Sequence, residues 1–377
     1  MKLLHTSDWH LGMPVGAGSY EEEQRFFLEQ LYEIIRTRNV GAVLLAGDVY
    51  DSSVSNAAAI AVYNDAVTTV CAQLGVPMIV IAGNHDSAAR LASCRTLLKT
   101  AGLHVTGKLE QDVGPVLLDD GRTAVYPLPF FNKDEVLALY PEHKEEIRTQ
   151  EQAMELVCSK IRDTMDPERF NIILSHSLIV NAALSDSDRS ARIGLATAVS
   201  KDVFRGFDYA ALGHIHKPQI IDKTIRYSGS PIKYSFGKEE TQEKGVVLLD
   251  TETGEQEFVS LPLLRDRKTI CGTYEEIINR EDLSNCWLHL EVSDRYAGLE
   301  LWADLQARFP HLLELRGKSM DEQDTLTALS VEELQTMDET AIMQKFLAEN
   351  FEYEPTTEQL QLFRDVLSWS DEEVDLG

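Results

Sequence analysis

Short apolar runs and amphipathic stretches alternate along the first half of the chain. "KLLHTS" (2–7), "VGAVLLAG" (40–47) and "VPMIVIAG" (76–83) are rich in Val, Ile and Leu. Runs of this length without polar alternation predict strands buried on both faces. Between them, residues 20–38 and 55–74 carry helical periodicity. Strand–helix alternation of this kind predicts an α/β layered fold. Further strands are predicted at 170–175, 207–212, 224–229 and 244–250, and a long helix over about 142–165.

The pattern changes after "LPLLRDRK". In "NCWLHLEVSD" (285–294), Leu288, Leu290 and Val292 alternate with Trp287, His289 and Glu291, as in a half-buried strand. "AGLELWADLQARF" reads as a helix and "HLLELRG" as another strand, which predicts a small β-α-β module. The tail predicts two helices. Ile342, Met343, Phe346, Leu347 and Phe351 form a stripe at helical spacing. Thr356 and Gln359 are spaced for a capping box, ahead of an apolar face made by Leu360, Phe363, Val366 and Leu367. The expected division is a first domain over 1–264, a second over 265–325 and a helical segment over 326–377.

The strand ends carry the chemistry. "KLLHTS" runs into Asp8-Trp9-His10, and "GAVLLAG" into Asp48, with Asp51 three residues on. "PMIVIAG" runs into Asn84-His85-Asp86, "NIILS" into His176, and "FDYAAL" into Gly213-His214-Ile215-His216. Ligands in open α/β sheets gather outside the carboxyl ends of the strands, so five strand ends would deliver these side chains to one cleft. Alone, each motif has a plainer reading. "GDVYD" fits a strand-to-helix turn with an Asp cap, and "GNHD" fits a turn. "GHIH" is stronger, because alternate residues of an extended segment project to one side. Carboxylates, imidazoles and an amide oxygen, without thiolate, suit Mn²⁺, Fe²⁺ or Zn²⁺. Asp8, His10, Asp48, Asn84, His176, His214 and His216 are too many for one ion. Shared around a bridging carboxylate they suit two ions roughly 3.5–4 Å apart, a pair that activates water and clamps phosphoryl oxygens.

Composition narrows the setting. The chain has 377 residues, 44% hydrophobic and 26% charged, enough for more than one domain. Cys71, Cys94, Cys158, Cys271 and Cys286 are scattered and form no CxxC pair. A reducing, cytoplasmic location is expected rather than a disulfide framework. The start has no signal-peptide pattern, and no apolar run approaches membrane-spanning length, so no membrane association is expected. The net charge of −27 argues against a free-standing nucleic-acid binder. About half of it, −14, lies in residues 319–377, where it need not face a substrate.

The set Asp8-x-His10, Gly47-Asp48-x-x-Asp51, Gly83-Asn84-His85-Asp86, His176 and Gly213-His214-x-His216 resembles the calcineurin-like metallophosphoesterase superfamily over roughly residues 1–250. Within it, "LLHTSDWHLG", "GDVYDSS", "GNHDS" and "YSGSPIKYSFGKEE" are most similar to the SbcD-type family of bacterial DNA-repair nuclease subunits. The resemblance implies a layered core with a small α+β capping domain and C-terminal ATPase-binding helices. It implies that Asp8, His10 and His216 hold one ion, that Asn84, His176 and His214 hold the other, and that Asp48 bridges them. Manganese is the implied metal. His85 would then be the catalytic residue, either general acid or stabiliser of charge on the phosphate. Asp86 is a candidate to orient His85; Asp51 would orient a ligand or cap the following helix.

The implied activity is cleavage of DNA phosphodiester bonds, as a duplex-end exonuclease and a single-strand or hairpin endonuclease. The implied partner is an SbcC-type coiled-coil ABC ATPase, and the implied assembly a homodimer within a heterotetramer. The tail helices would lie in a partner's groove or pack on the second domain. Arg90, Arg95, Lys233 and Lys238 lie close to the motif loops as candidate DNA contacts. The rival readings are a stand-alone phosphoesterase acting on nucleotides or phosphoproteins, and a non-catalytic scaffold. The segment beyond residue 265 disfavours the first, and the full ligand set disfavours the second.

Overall fold

The computed structural model describes residues 1–188 and 197–318, together with 340, 343–344, 355–357 and 359–362. Two six-stranded sheets stack face to face. The first runs in the order Gln256–Ser260, Gly245–Asp250, Lys2–Thr6, Val40–Ala46, Met78–Ile81, Leu103–Thr106, and its last four strands are parallel. The second runs Gln219–Asp222, Ile225–Tyr227, Tyr209–Gly213, Phe170–His176, Thr123–Leu128, Val116–Leu118, with four parallel strands between antiparallel edges.

Alternation along each strand builds three apolar layers. Leu3, Ala42, Leu44, Ala46, Ile79 and Ile81 face inward, against Val125, Ile172, Leu174, Tyr209 and Ala211 of the second sheet. Leu4, Val43, Leu45 and Val80 face outward and are covered by helices Glu21–Thr37 and Ala57–Val67. The second sheet turns Ile173, Ala210 and Tyr227 towards helix Gln150–Arg162. Both faces of the central strands are therefore dry, which is why they read as unbroken apolar runs.

Residues 266–316 form a separate three-stranded parallel sheet, Asp266–Gly272, Cys286–Val292, Leu312–Arg316, with helices Tyr274–Ile278 and Leu299–Arg308 and an apolar cluster of its own. The expected β-α-β module thus has one more strand and helix at its start. It meets the large sandwich through Trp287, whose indole N–H donates to Glu23 at 3.0 Å, and through Arg265, which pairs with Glu23 at 2.6 Å.

One expected boundary shifts. The helix anticipated over 142–165 spans Gln150–Arg162, because Thr149 and Gln152 close a capping box there. The buried strand Thr123–Leu128, which carries Pro127, is not among the strands predicted from sequence. Most of the tail stripe lies outside the described residues. The capping box beside it is present: Gln359 N donates to Thr356 Oγ1 at 3.3 Å, and Thr356 N donates to Gln359 Oε1 at 2.9 Å. All five cysteines are free, and no described helix is long and apolar enough to cross a membrane.

Candidate metal centre

Parallel pairing sends five strand ends to one rim, and backbone bonds knit the loops that follow. Asp8 N donates to Gly47 O, and His10 N to Asp48 O, both at 3.0 Å. The loops approach so closely that side chains would not fit. A Cβ on Gly83 would lie 2.1 Å from Asp48 Oδ1, and one on Gly213 would lie 1.8 Å from Ala46 O. Gly83 is therefore required by close approach rather than by a left-handed turn. Asp8, His10, Asp48 and His214 all have positive φ, between 42° and 97°. Strained non-glycine backbone of this kind marks functional sites.

The seven expected ligands converge in two groups. Asp8, His10 and His216 bring ligand atoms within 4.8 Å of one another, as do Asp48, His176 and His214. His10 Nε2 lies 3.1 Å from His216 Nε2. Asn84 Oδ1 lies 3.0 Å from His176 Nε2 and 2.8 Å from His214 Nδ1. Asp48 Oδ2 sits between the groups, 3.3 Å from His176 Nε2 and 3.7 Å from His10 Nε2. A third grouping, His10, Asp51 and His85, meets the same distance. It uses the other face of His10, whose Nδ1 lies 3.4 Å from Asp51 Oδ1.

The hydrogen bonds around the groups turn lone pairs inward. His176 donates Nδ1–H to Ala46 O at 2.8 Å, which leaves Nε2 as an acceptor facing Asn84 Oδ1. His216 uses Nδ1 on Ser187 Oγ at 2.7 Å, so its Nε2 lone pair faces His10. Acceptors aimed at acceptors need a cation or a proton between them. The charges agree. Burial alone would lower the pKa of His176, yet Asp48 and Asp8 raise it to about 9. Burial would raise that of Asp48, yet His176, His10 and His85 hold it well below the usual range. His214 falls to about 3, through burial and the neighbouring His176. This buried, all N and O donor set fits divalent metal ions.

His85 stands apart from that set. It is only half-buried. Its Nδ1–H donates to Asp51 O at 2.7 Å and its backbone N to Asp48 Oδ1 at 2.9 Å. Among the described residues Nε2 has no hydrogen-bond partner. Asp86 does not hold the His85 ring. Its carboxylate accepts from Gly83 N, Val49 N and Tyr50 N at 2.9, 3.1 and 2.9 Å, and so clamps the Asp48 loop to the Asn84 loop. Asp51 flanks His10 rather than capping the next helix, whose cap is Asn56.

Of the candidate DNA contacts, Lys233 is corrected. It is buried and paired with Asp266 at 2.7 Å, so it cannot reach a phosphate on the surface. Arg90 donates to Ser53 O at 2.7 Å and Arg95 pairs with Glu110 at 2.6 Å, while Lys238 is exposed. Sequence reasoning missed a buried support behind His216. Ser187 Oγ donates to Glu239 Oε2 at 2.9 Å while touching His216 Nδ1, and Glu239 pairs with Lys244 at 2.5 Å, both fully buried. Tyr234 also went unnoticed: its ring lies edge-on to His10 and His216, and its hydroxyl donates to Trp9 O at 2.6 Å. "YSFGKEE" holds Tyr234 and Glu239, but nothing in its spacing signals what they touch.

Comparison with known proteins gives the same direction. Residues 1–218 match the calcineurin-like phosphoesterase family, and residues 262–351 match a family described as the type 5 capsule protein repressor C-terminal domain. The chain is 30% identical over 353 residues to the SbcD subunit of nuclease SbcCD from Staphylococcus epidermidis, covering 92% of each. It is 28% identical over 352 residues to the same subunit of Staphylococcus saprophyticus, again covering 92% of each. With its candidate ligand groups at the strand ends and this likeness along nearly its whole length, the chain belongs to the calcineurin-like phosphoesterase family and, within it, to the SbcD nucleases.

Proposed function

We propose that this chain is the nuclease subunit of an SbcCD-type complex, and that it hydrolyses DNA phosphodiester bonds at the centre around Asp48. The reading covers duplex-end exonuclease and single-strand or hairpin endonuclease activity in DNA repair. One observation carries it: Asp48 Oδ2 lies between two groups of inward-facing nitrogens, 3.3 Å from His176 and 3.7 Å from His10.

Asp8, His10 and His216 would hold one ion and Asn84, His176 and His214 the other, with Asp48 placed to serve both. The oxygen and imidazole donors suit Mn²⁺, Fe²⁺ or Zn²⁺, and likeness to the SbcD family favours manganese among them. When bound, the ions supply an activated water and neutralise charge on the phosphate. The protein's part is positioning and proton handling. Asp51 O and the backbone bond to Asp48 fix the His85 ring and leave Nε2 free. A proton held there goes to the leaving alkoxide oxygen, or stays to offset charge on the phosphoryl oxygens. Asp86 keeps the Asp48 and Asn84 loops in register.

The domain division is 1–264, 265–325 and 326–377, with the tail as the attachment for an SbcC-type ABC ATPase and the whole acting as a homodimer within a heterotetramer. Such a partner would supply the phosphate contacts that an acidic chain lacks. Five free cysteines fit a reducing compartment, and we assign the chain to the cytoplasm. Incubation with Mn²⁺ and labelled hairpin DNA, alone and with the ATPase, tests the reading. Cleavage that chelator abolishes is expected. A protein that cuts p-nitrophenyl phosphodiesters but no DNA under either condition would be the stand-alone phosphoesterase instead.

A further inference from the structure

Among the described residues, Arg226 is a buried cation without a counter-ion. It sits in strand Ile225–Tyr227, which is paired on both sides, to Ala211 and to Ile220. Ile225 and Tyr227 face the apolar layer under helix Gln150–Arg162. Arg226 points the opposite way, to where the edges of the two sheets part, and its guanidinium carbon lies 5.8 Å from the ring centre of Phe258. The residue is 8% exposed, and Nε is buried with no hydrogen-bond partner. It forms no ion pair among the described residues. Burial lowers its pKa, the sign of a charge that the protein does not compensate.

Arg226 opens into a groove of about 820 Å³. Lys217 and Lys238 also line it, and neither side chain is ion-paired among the described residues. Glu243 is the one acidic side chain among the described residues of the lining. A net positive groove is a local exception on a chain of net charge −27. Lys217 in the lining directly follows the candidate ligand His216 in the chain. Ile220, 63% exposed, adds apolar surface at its side. A planar guanidinium fork matches phosphate oxygens in pairs, and flanking lysines add charge without demanding a geometry.

We infer that this groove is a second anion subsite, which takes a phosphate of the nucleic-acid strand away from the bond being cut, with Arg226 as its fork. The inference rests on the proposed nuclease reading. The groove holds the strand running on past the centre and so fixes where along the strand the cut falls.

The test is oligonucleotide binding by the full chain in chelator, where no cleavage occurs. Affinity for a labelled single strand is measured across salt for wild type, Arg226→Met, Arg226→Lys and Lys217→Ala. Hydrolysis of bis(p-nitrophenyl) phosphate with Mn²⁺, a substrate too small to span both sites, runs in parallel. Arg226→Met should weaken strand binding about tenfold and Arg226→Lys less. Removing one phosphate-binding cation should make the salt slope shallower by about 0.7. The small diester should be cut at the wild-type rate. Should Arg226→Met fail to fold, Lys217→Ala decides by itself. Wild-type affinity and slope in the folded variants overturn the inference. Competition by deoxyadenosine monophosphate, with strand affinity untouched in the variants, would show a free-nucleotide site and overturn the strand assignment. A wild type that never cuts the diester sinks the metal-centre reading, and the binding comparison still decides the groove.

Discussion

Asp48 ties the centre together at the scale of a single residue. One oxygen receives the His85 amide while the other faces His176 and His10. The arrangement separates the proposed ligands from the proposed catalyst: the proposed ligand imidazoles are buried, whereas His85 is half-buried and its Nε2 has no hydrogen-bond partner among the described residues. His85→Ala should therefore keep both divalent ions, counted by elemental analysis after dialysis, and lose about 10²–10⁴-fold in kcat. Loss of an ion in that variant would make His85 a ligand. Ser187→Ala should do the reverse. Removing the hydroxyl between His216 and Glu239 should weaken metal affinity about 10–100-fold in chelator competition, with no direct effect on proton transfer. Unchanged affinity would reduce the buried Glu239–Lys244 pair to a packing role. All seven proposed ligands were legible in sequence because each adjoins an apolar run. Ser187 and Glu239 were not, since contacts across 52 residues leave no local pattern.

Among the elements, the strand ends position the centre and the glycines let them approach. Gly213→Ala would drive a Cβ into Ala46 O, pushing the two sheets apart just below His214 and His176. The expected cost is about 2–4 kcal/mol, read from urea unfolding. Gly114→Ala, with nothing within 4 Å of its Cβ, is the control and should change little. Equal stabilities would mean that the close approach does not matter. Central strands were legible because both faces are buried. Two others were not: the edge strand Gln219–Asp222 alternates half-buried and exposed residues, and the internal strand Thr123–Leu128 carries Pro127. The two-faced stacking was also invisible, because an apolar run does not say which layer covers each side.

Across the whole molecule, buried titratable groups set the pH range of the fold. Burial holds His5 neutral and lowers its pKa from 6.5 to about 3. It accepts from the Tyr209 hydroxyl at 3.0 Å and donates to Leu212 O at 3.1 Å. The unfolded chain binds the extra proton between these values. The contribution is therefore full above about pH 6.5 and is lost as pH falls towards 3, roughly 2 kcal/mol by pH 5. His5→Asn should flatten the acid side of the stability profile by about that amount. Parallel profiles for variant and wild type would contradict it. The charge distribution was legible at this scale; the basic groove around Arg226 was not, because its lining comes from distant segments of the chain.

The central claim is a pair of cation sites sharing Asp48. Anomalous diffraction at the manganese edge, from crystals of the protein grown with Mn²⁺, tests it most directly. Two peaks are expected, one among Asp8, His10 and His216 and one among Asn84, His176 and His214, each next to Asp48. A single peak, or a peak held by His10, Asp51 and His85, would contradict the account.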